Sequence, residues 1–204
     1  MVEISLIVEG GDISNNINAQ TANNTESLRQ ALNKFFTRLL NRDDISIKLA
    51  LGGGNKNAVK MFLKNSDETI LFVDSDHSNT DEWYKKMEDM NIPNHKKGNI
   101  FFMIQEMEAW FLKQLSCLDR WAEKEGYTRK QEGDISQHSV LINKNIEDIK
   151  KPSDKLATVL KVYFEKKGKS ARYGKLKTAP ALLDALNTSD LLPLDKELQR
   201  LKNK

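Results

Sequence analysis

At 204 residues, 39% hydrophobic and 30% charged, the chain has length for one domain with a sizeable core, or a core domain with an appendage, and its composition excludes disorder. A net charge of +3, from 32 basic against 29 acidic residues, permits a nucleic-acid partner without arguing for one. The single cysteine, Cys117, excludes an internal disulfide or a multi-thiolate zinc site, and with no basic leader before "VEISLIV" and no run near ~18 apolar residues the expectation is a cytoplasmic protein without a membrane span.

The apolar run 2–8 stops at Glu9-Gly10-Gly11 and gives way to an Asn-rich polar stretch up to about Asn24. "SLRQALNKFFTRLL" then sets Leu28, Leu32, Phe35, Phe36, Leu39 and Leu40 on one helical stripe, capped by a Ser27/Gln30 box or by Thr25. "ISIKLAL" (45–51) alternates like a half-buried strand, "GGGN" stops it, and a short helix around Val59, Phe62 and Leu63 follows. "TILFV" (69–73) reads as a third strand, before a helix around Trp83, Met87 and Met90 that ends ahead of Ile92-Pro93. "NIFFMI" (99–104) is a fourth, leading into "EMEAWFLKQLSCLDRW", where Met107, Trp110, Phe111, Leu115, Leu118 and Trp121 recur at helical spacing. This alternation implies an α/β fold, a parallel four-stranded sheet flanked by helices.

Residues 126–145 are polar and aperiodic, the mark of a loop or linker. "KPSDKLATVLKVYFEKK" reads as a helix led in by Pro152 and capped by Ser153 or Asp154, and "TAPALLDALN" and "PLDKELQRLKNK" as two short helices. The expected organisation is an α/β domain over 1–122 with a mostly helical C-terminal part, 123–204, packed on it.

Ligands of parallel sheets bind beyond the carboxyl ends of the strands. Three of the four expected strands carry acid there: Glu9 after the first, Asp74 and Asp76 after the third, Glu106 and Glu108 after the fourth. Asp74 and Asp76 share a face while the backbone stays extended. Two carboxylates that close repel by roughly 4 kcal/mol at surface-like dielectric, so a proton, a basic side chain or a divalent cation must offset them. Oxygen ligands favour a hard ion, Mg²⁺ or Mn²⁺, the usual equipment for cutting or transferring phosphodiesters. A plainer alternative stands beside this, with Asp76 or Asp81 capping the next helix.

"IVEGGD" and "LFVDSD" resemble the Toprim domain of topoisomerases, primases and overcoming-lysogenization-defect (OLD) type nucleases, which carries Glu-Gly after its first strand and Asp-x-Asp after its third. "QEMEAWFL" (105–112), "KPSDKL" (151–156) and "RYGKLKTAPALLDAL" (172–186) are similar to segments of a family of small bacterial Toprim-like proteins, often encoded beside an ATPase and suspected in phage defence. The pattern departs from the family in "GGDISNN", where Asp12 stands close to a further acid of the motif, and "GGGNK" lacks Walker spacing. The resemblance implies that Glu9, Asp74 and Asp76 hold Mg²⁺ or Mn²⁺, and that Glu106 or Glu108 adds a ligand or a base. If the fourth strand runs through Glu108 the two glutamates share a face; if a helix starts at Glu106 they diverge by roughly 200°.

Lys56 in the glycine turn and Lys169, Arg172 and Lys175 around Tyr173 suit a nucleic-acid backbone; solvated lysines and a solubilising loop are the plain alternatives. The implied activity is a magnesium-dependent nuclease acting on DNA or RNA beside an ATPase partner, with a homodimer allowed. The rivals are a non-catalytic Toprim-like subunit regulating that ATPase, and an Asp-x-Asp glycosyltransferase, which leaves Glu9 without a task.

Overall fold

The computed structural model describes residues 2–11, 14 and 18–204, with the backbone alone at 86, 87 and 89; Asp12 and the Met87 side chain lie outside the described residues. The first half runs β1 (Val2–Val8), α1 (Ala19–Leu40), β2 (Ile45–Leu51), α2 (Asn55–Lys64), β3 (Ile70–Asp74), α3 (Asp81–Asp89), α4 (Asn94–Lys97) and β4 (Ile100–Met103). The four strands pair in parallel in the order β2-β1-β3-β4, flanked by helices, as the alternation implied.

Successive side chains of the near-continuous apolar strands go to opposite faces. Leu6, Val8, Ile70, Phe72, Phe101 and Met103 join the core beneath α1, whereas Ile7, Leu71, Val73, Ile100 and Phe102 join a second core with Ala58, Val59 and Phe62 of α2 and Trp83 of α3. The chain leaves β1 for β2 on one side and returns to β3 on the other. The order therefore reverses between β1 and β3, where the strand ends of an open parallel sheet part into a crevice.

The second half runs α5 (Glu108–Lys113), α6 (Ser116–Glu125), β5 (Thr128–Arg129), α7 (Pro152–Tyr163), β6 (Phe164–Lys166), β7 (Lys169–Ser170), α8 (Lys175–Ala185), α9 (Thr188–Leu191) and α10 (Lys196–Lys202). Leu182, Leu183, Leu186 and Leu191 lie in the same hydrophobic cluster as Leu32, Phe35 and Phe36 of α1, so the parts before and after residue 122 share a core. α10 also covers the outer edge of β4: Phe102 N–H donates to Glu197 Oε2 at 3.2 Å, and Arg200 donates to the Ile100 carbonyl. An edge so occupied is closed to further strands.

Several elements differ from expectation. α1 begins at Ala19, capped by Asn18, whose Oδ1 accepts from Thr21 N–H at 2.8 Å; its first turns hold no fully buried residue and carry no apolar stripe to announce them. The helix expected through Trp121 is two, broken at Gln114, which leaves helical geometry at φ −125°. Residues 126–145 are no linker, because Ile135 and Leu141 are buried in the main core. "FEKKGKS" is not helical: β6 and β7 form a hairpin whose Lys167-Gly168 turn has both φ positive, 53° and 73°, the geometry matched to strand twist. Among the described residues no helix is long and apolar enough to cross a membrane.

Candidate functional site

Glu9 stands one residue past β1 and still pairs with β3, donating its N–H to the Phe72 carbonyl at 2.8 Å. Its Oε2 accepts from Asp74 N–H at 3.2 Å and from Asn55 Nδ2 at 3.4 Å. The glycines around it are structural. Gly10 (φ 132°) and Gly53 (φ 65°) exchange hydrogen bonds of 2.7 and 2.9 Å, tying the two turns together. A Cβ on Gly52 would sit 2.5 Å from Ala58 Cβ, so a glycine lets α2 press against the end of β2 and deliver Asn55 to Glu9. Burial pushes the Glu9 carboxyl above its usual value and the nearby Asp76 charge adds to this, against the Asp74 N–H and Lys175.

Asp74 ends β3 on the face of Ile70 and Phe72, toward α1 and the C-terminal helices, and is buried. Its Oδ1 accepts from Met107 N–H at 3.1 Å and its Oδ2 from Lys175 Nζ at 3.2 Å. Burial above all, then the Glu9 and Glu108 charges, push its carboxyl up to about 7, with Lys175 opposing. For Lys175 burial works the other way, yet Asp74, Glu108 and Glu106 hold the ammonium above its ordinary value.

The two aspartates do not share a face. The strand stops at Asp74, Ser75 is buried, and Asp76 turns left-handed at φ 57° and is exposed. Asp76 N–H donates to the Gln105 carbonyl at 2.9 Å, and Ser75 Oγ accepts from Gln105 N–H at 2.8 Å, pinning the β3 turn to the corner after β4.

β4 ends at Met103 and α5 starts at Glu108, so the strand does not carry both glutamates to one face. Glu106 Oε2 accepts from Ser153 N–H at 2.9 Å and caps α7, the task expected of Ser153 or Asp154. Glu108 is 1% exposed; its Oε1 accepts from Tyr173 O–H at 2.5 Å, and its Oε2 is buried with no hydrogen-bond partner. Burial and the Glu108 carboxylate push the Tyr173 phenol up, so it stays a neutral donor.

The structure thus brings Glu9, Asp74 and Glu108 to one rim, with Asp76 at its solvent side and Glu106 engaged at a helix end. Lys175, expected on a basic surface, sits among these acids instead; Lys56, Lys169 and Arg172 are exposed. Sequence reasoning missed Tyr173 and Asn55 as members of the rim. "RYGKLK" and "GGGN" flagged their neighbourhoods, but no local pattern flags a contact formed across the fold.

The rim fits a hard divalent cation by its chemistry. Its free acceptors are oxygens, the buried Glu108 Oε2 and Asn55 Oδ1 lack donors, and one ammonium faces several carboxylates. Among the described residues no three carboxylate, imidazole or thiol groups are drawn together as a finished metal shell. The fold and rim define an α/β protein with acids gathered at its switch point. No protein-family model, curated protein or solved structure matches the chain.

Proposed function

We propose that this protein is a Toprim-type phosphodiesterase that requires Mg²⁺ or Mn²⁺, cuts DNA or RNA in the cytoplasm, and serves as effector of an ATPase partner in phage defence. The observation that carries the reading is the meeting of Glu9 and Asp74 across the β1/β3 switch point, 3.2 Å from carboxylate to amide, beside the unpartnered Glu108 Oε2. Glu9 and Asp74 would hold the ion, with Asp76 on the open side. When bound, the ion supplies positive charge to the phosphoryl oxygens and acidity to a water. Tyr173 fixes the Glu108 carboxylate through one oxygen and leaves the other for a proton or a ligand. Lys175 holds Asp74 in place and keeps part of the acidic charge balanced until substrate and ion arrive.

The test is cleavage of labelled single- and double-stranded DNA and RNA with Mn²⁺, for the wild type and for Glu9→Ala and Asp74→Ala variants shown to fold by circular dichroism. Cleavage in the wild type and loss of more than about a hundredfold in both variants supports the reading. Undiminished cleavage by either variant overturns it.

One observation favours a second reading. The Lys175 ammonium, 3.2 Å from Asp74, already supplies a cation to the rim, as befits a subunit that regulates an ATPase and cuts nothing. Change in the partner's ATPase rate on addition of a protein that neither binds Mn²⁺ nor cleaves any polymer would select it.

A further inference from the structure

A concavity opens beside α7 and β7. It is a cleft of about 730 Å³ lined by Tyr127, Lys161, Lys169, Ser170, Ala171 and Arg172. Its three cations come from different elements: Lys161 from the exposed face of α7, Lys169 from β7, and Arg172 from the coil leading into α8. Among the described residues none of the three has a side-chain hydrogen bond or an ion pair. Other cations of this half of the chain are paired: Lys113 with Asp195 and Glu147, Lys175 with Asp74, Arg129 with Asp119. Lys130 braces the cleft, its Nζ donating to the Lys161 carbonyl at 3.0 Å and to Ser170 Oγ at 2.8 Å. Three unanswered positive charges on a braced concave wall form a receptor for more than one negative charge.

The chain itself joins this cleft to the rim. Arg172 lines the cleft, Tyr173 binds Glu108, and Lys175 binds Asp74, within one short segment. Three residues span at most about 10 Å. The cleft offers no free aromatic platform, because the Tyr127 ring is stacked on Trp121 at 4.8 Å and the Lys166 ammonium stands over it at 5.6 Å. A ligand there meets charge and not a base-stacking surface.

We infer that this cleft holds the phosphates of a polynucleotide next to the one at the acidic rim, and that it reads backbone and not sequence. The inference rests on the phosphodiesterase reading for the class of its substrate. Lys175 has no part in it, being committed to Asp74.

The test is fluorescence anisotropy in EDTA, so that nothing is cut, with a labelled thymidylate oligomer about 12 nucleotides long. A Lys161→Gln/Lys169→Gln/Arg172→Gln variant should bind about tenfold or more weakly than the wild type, and its plot of log affinity against log salt should flatten by about 2. A control of equal charge change, Lys34→Gln/Lys60→Gln/Lys64→Gln on α1 and α2, should bind within about twofold of the wild type. Equal binding by the cleft variant, an equal fall in the control, or no binding by the wild type overturns the inference. Full displacement by pyrophosphate at the same phosphate concentration also overturns it, reassigning the cleft to a small phosphorylated ligand. Calorimetry with Mn²⁺ on the same proteins separates the two claims. Intact metal binding with unchanged oligomer binding in the cleft variant removes the cleft alone; weakened oligomer binding with no metal uptake by the wild type removes the rim alone.

Discussion

Asp195 and Glu108 are equally buried, each 1% exposed, and are provided for in opposite ways. Asp195 Oδ1 caps α10, accepting from Glu197 N–H at 3.1 Å and Leu198 N–H at 3.0 Å. Its Oδ2 accepts from Trp110 Nε1 at 3.1 Å and from Lys113 Nζ at 2.8 Å, and Lys113 reaches on to Glu147 at 2.8 Å. Glu108 has the Tyr173 hydroxyl on one oxygen and no donor on the other. Taking a carboxylate out of water costs several kcal/mol, which four donors offset at Asp195 and one does not at Glu108. Burial alone does not tell these two acids apart; satisfaction does.

Breaking the satisfied side should have the largest effect on stability. Asp195→Ala removes four hydrogen bonds and leaves Lys113 with Glu147 alone, an expected loss of about 3–5 kcal/mol in urea unfolding. A loss comparable to that of a surface substitution would erase the contrast drawn above.

Next comes the pH dependence of Asp74. Its carboxyl titrates at about 7 when folded and near the ordinary value of 3.8 when unfolded. Between those values the folded state binds the extra proton, so stability falls as pH rises from about 4 to 7, on the order of 1–3 kcal/mol. Asp74→Asn should flatten that slope in unfolding titrations from pH 4.5 to 8. An unchanged slope would show that Asp74 is not the group responsible.

Tyr173→Phe takes away the one donor to Glu108 and should cost about 1–3 kcal/mol, measured without metal. Glu106→Ala uncaps α7 and should cost about 1 kcal/mol, placing Glu106 with the structural acids. The smallest effect falls to Glu108→Gln. It keeps an acceptor for Tyr173 and removes a charge from a crowded rim, so stability should stay within about 0.5 kcal/mol of the wild type or rise. A loss like that of Asp195→Ala would make Glu108 a structural acid as well.

The sheet was legible because its signals are local: apolar runs of strand length, split between two faces, with acids at their carboxyl ends. Glu9 and Asp74 could be paired from sequence because a switch point brings strand ends together whatever fills the loops. What stayed hidden depends on distant contacts or on single dihedral angles. Tyr173 meets Glu108 across 65 residues, Lys175 meets Asp74 across 101, and Glu106 caps a helix through Ser153, 47 residues on. The face shared by Asp74 and Asp76 holds only for an extended backbone, and φ 57° at Asp76 ends that extension, an angle no local pattern announces. The start of α1 was hidden because its first turns hold no fully buried residue and no apolar stripe.

Calorimetric titration of the apo protein with Mn²⁺ at pH 8, where Asp74 is ionised, tests the central claim most directly. The account predicts saturable uptake in the wild type and at least a tenfold weaker affinity in Asp74→Asn and Glu9→Gln. Absence of uptake by the wild type, or equal affinity in both variants, would contradict it.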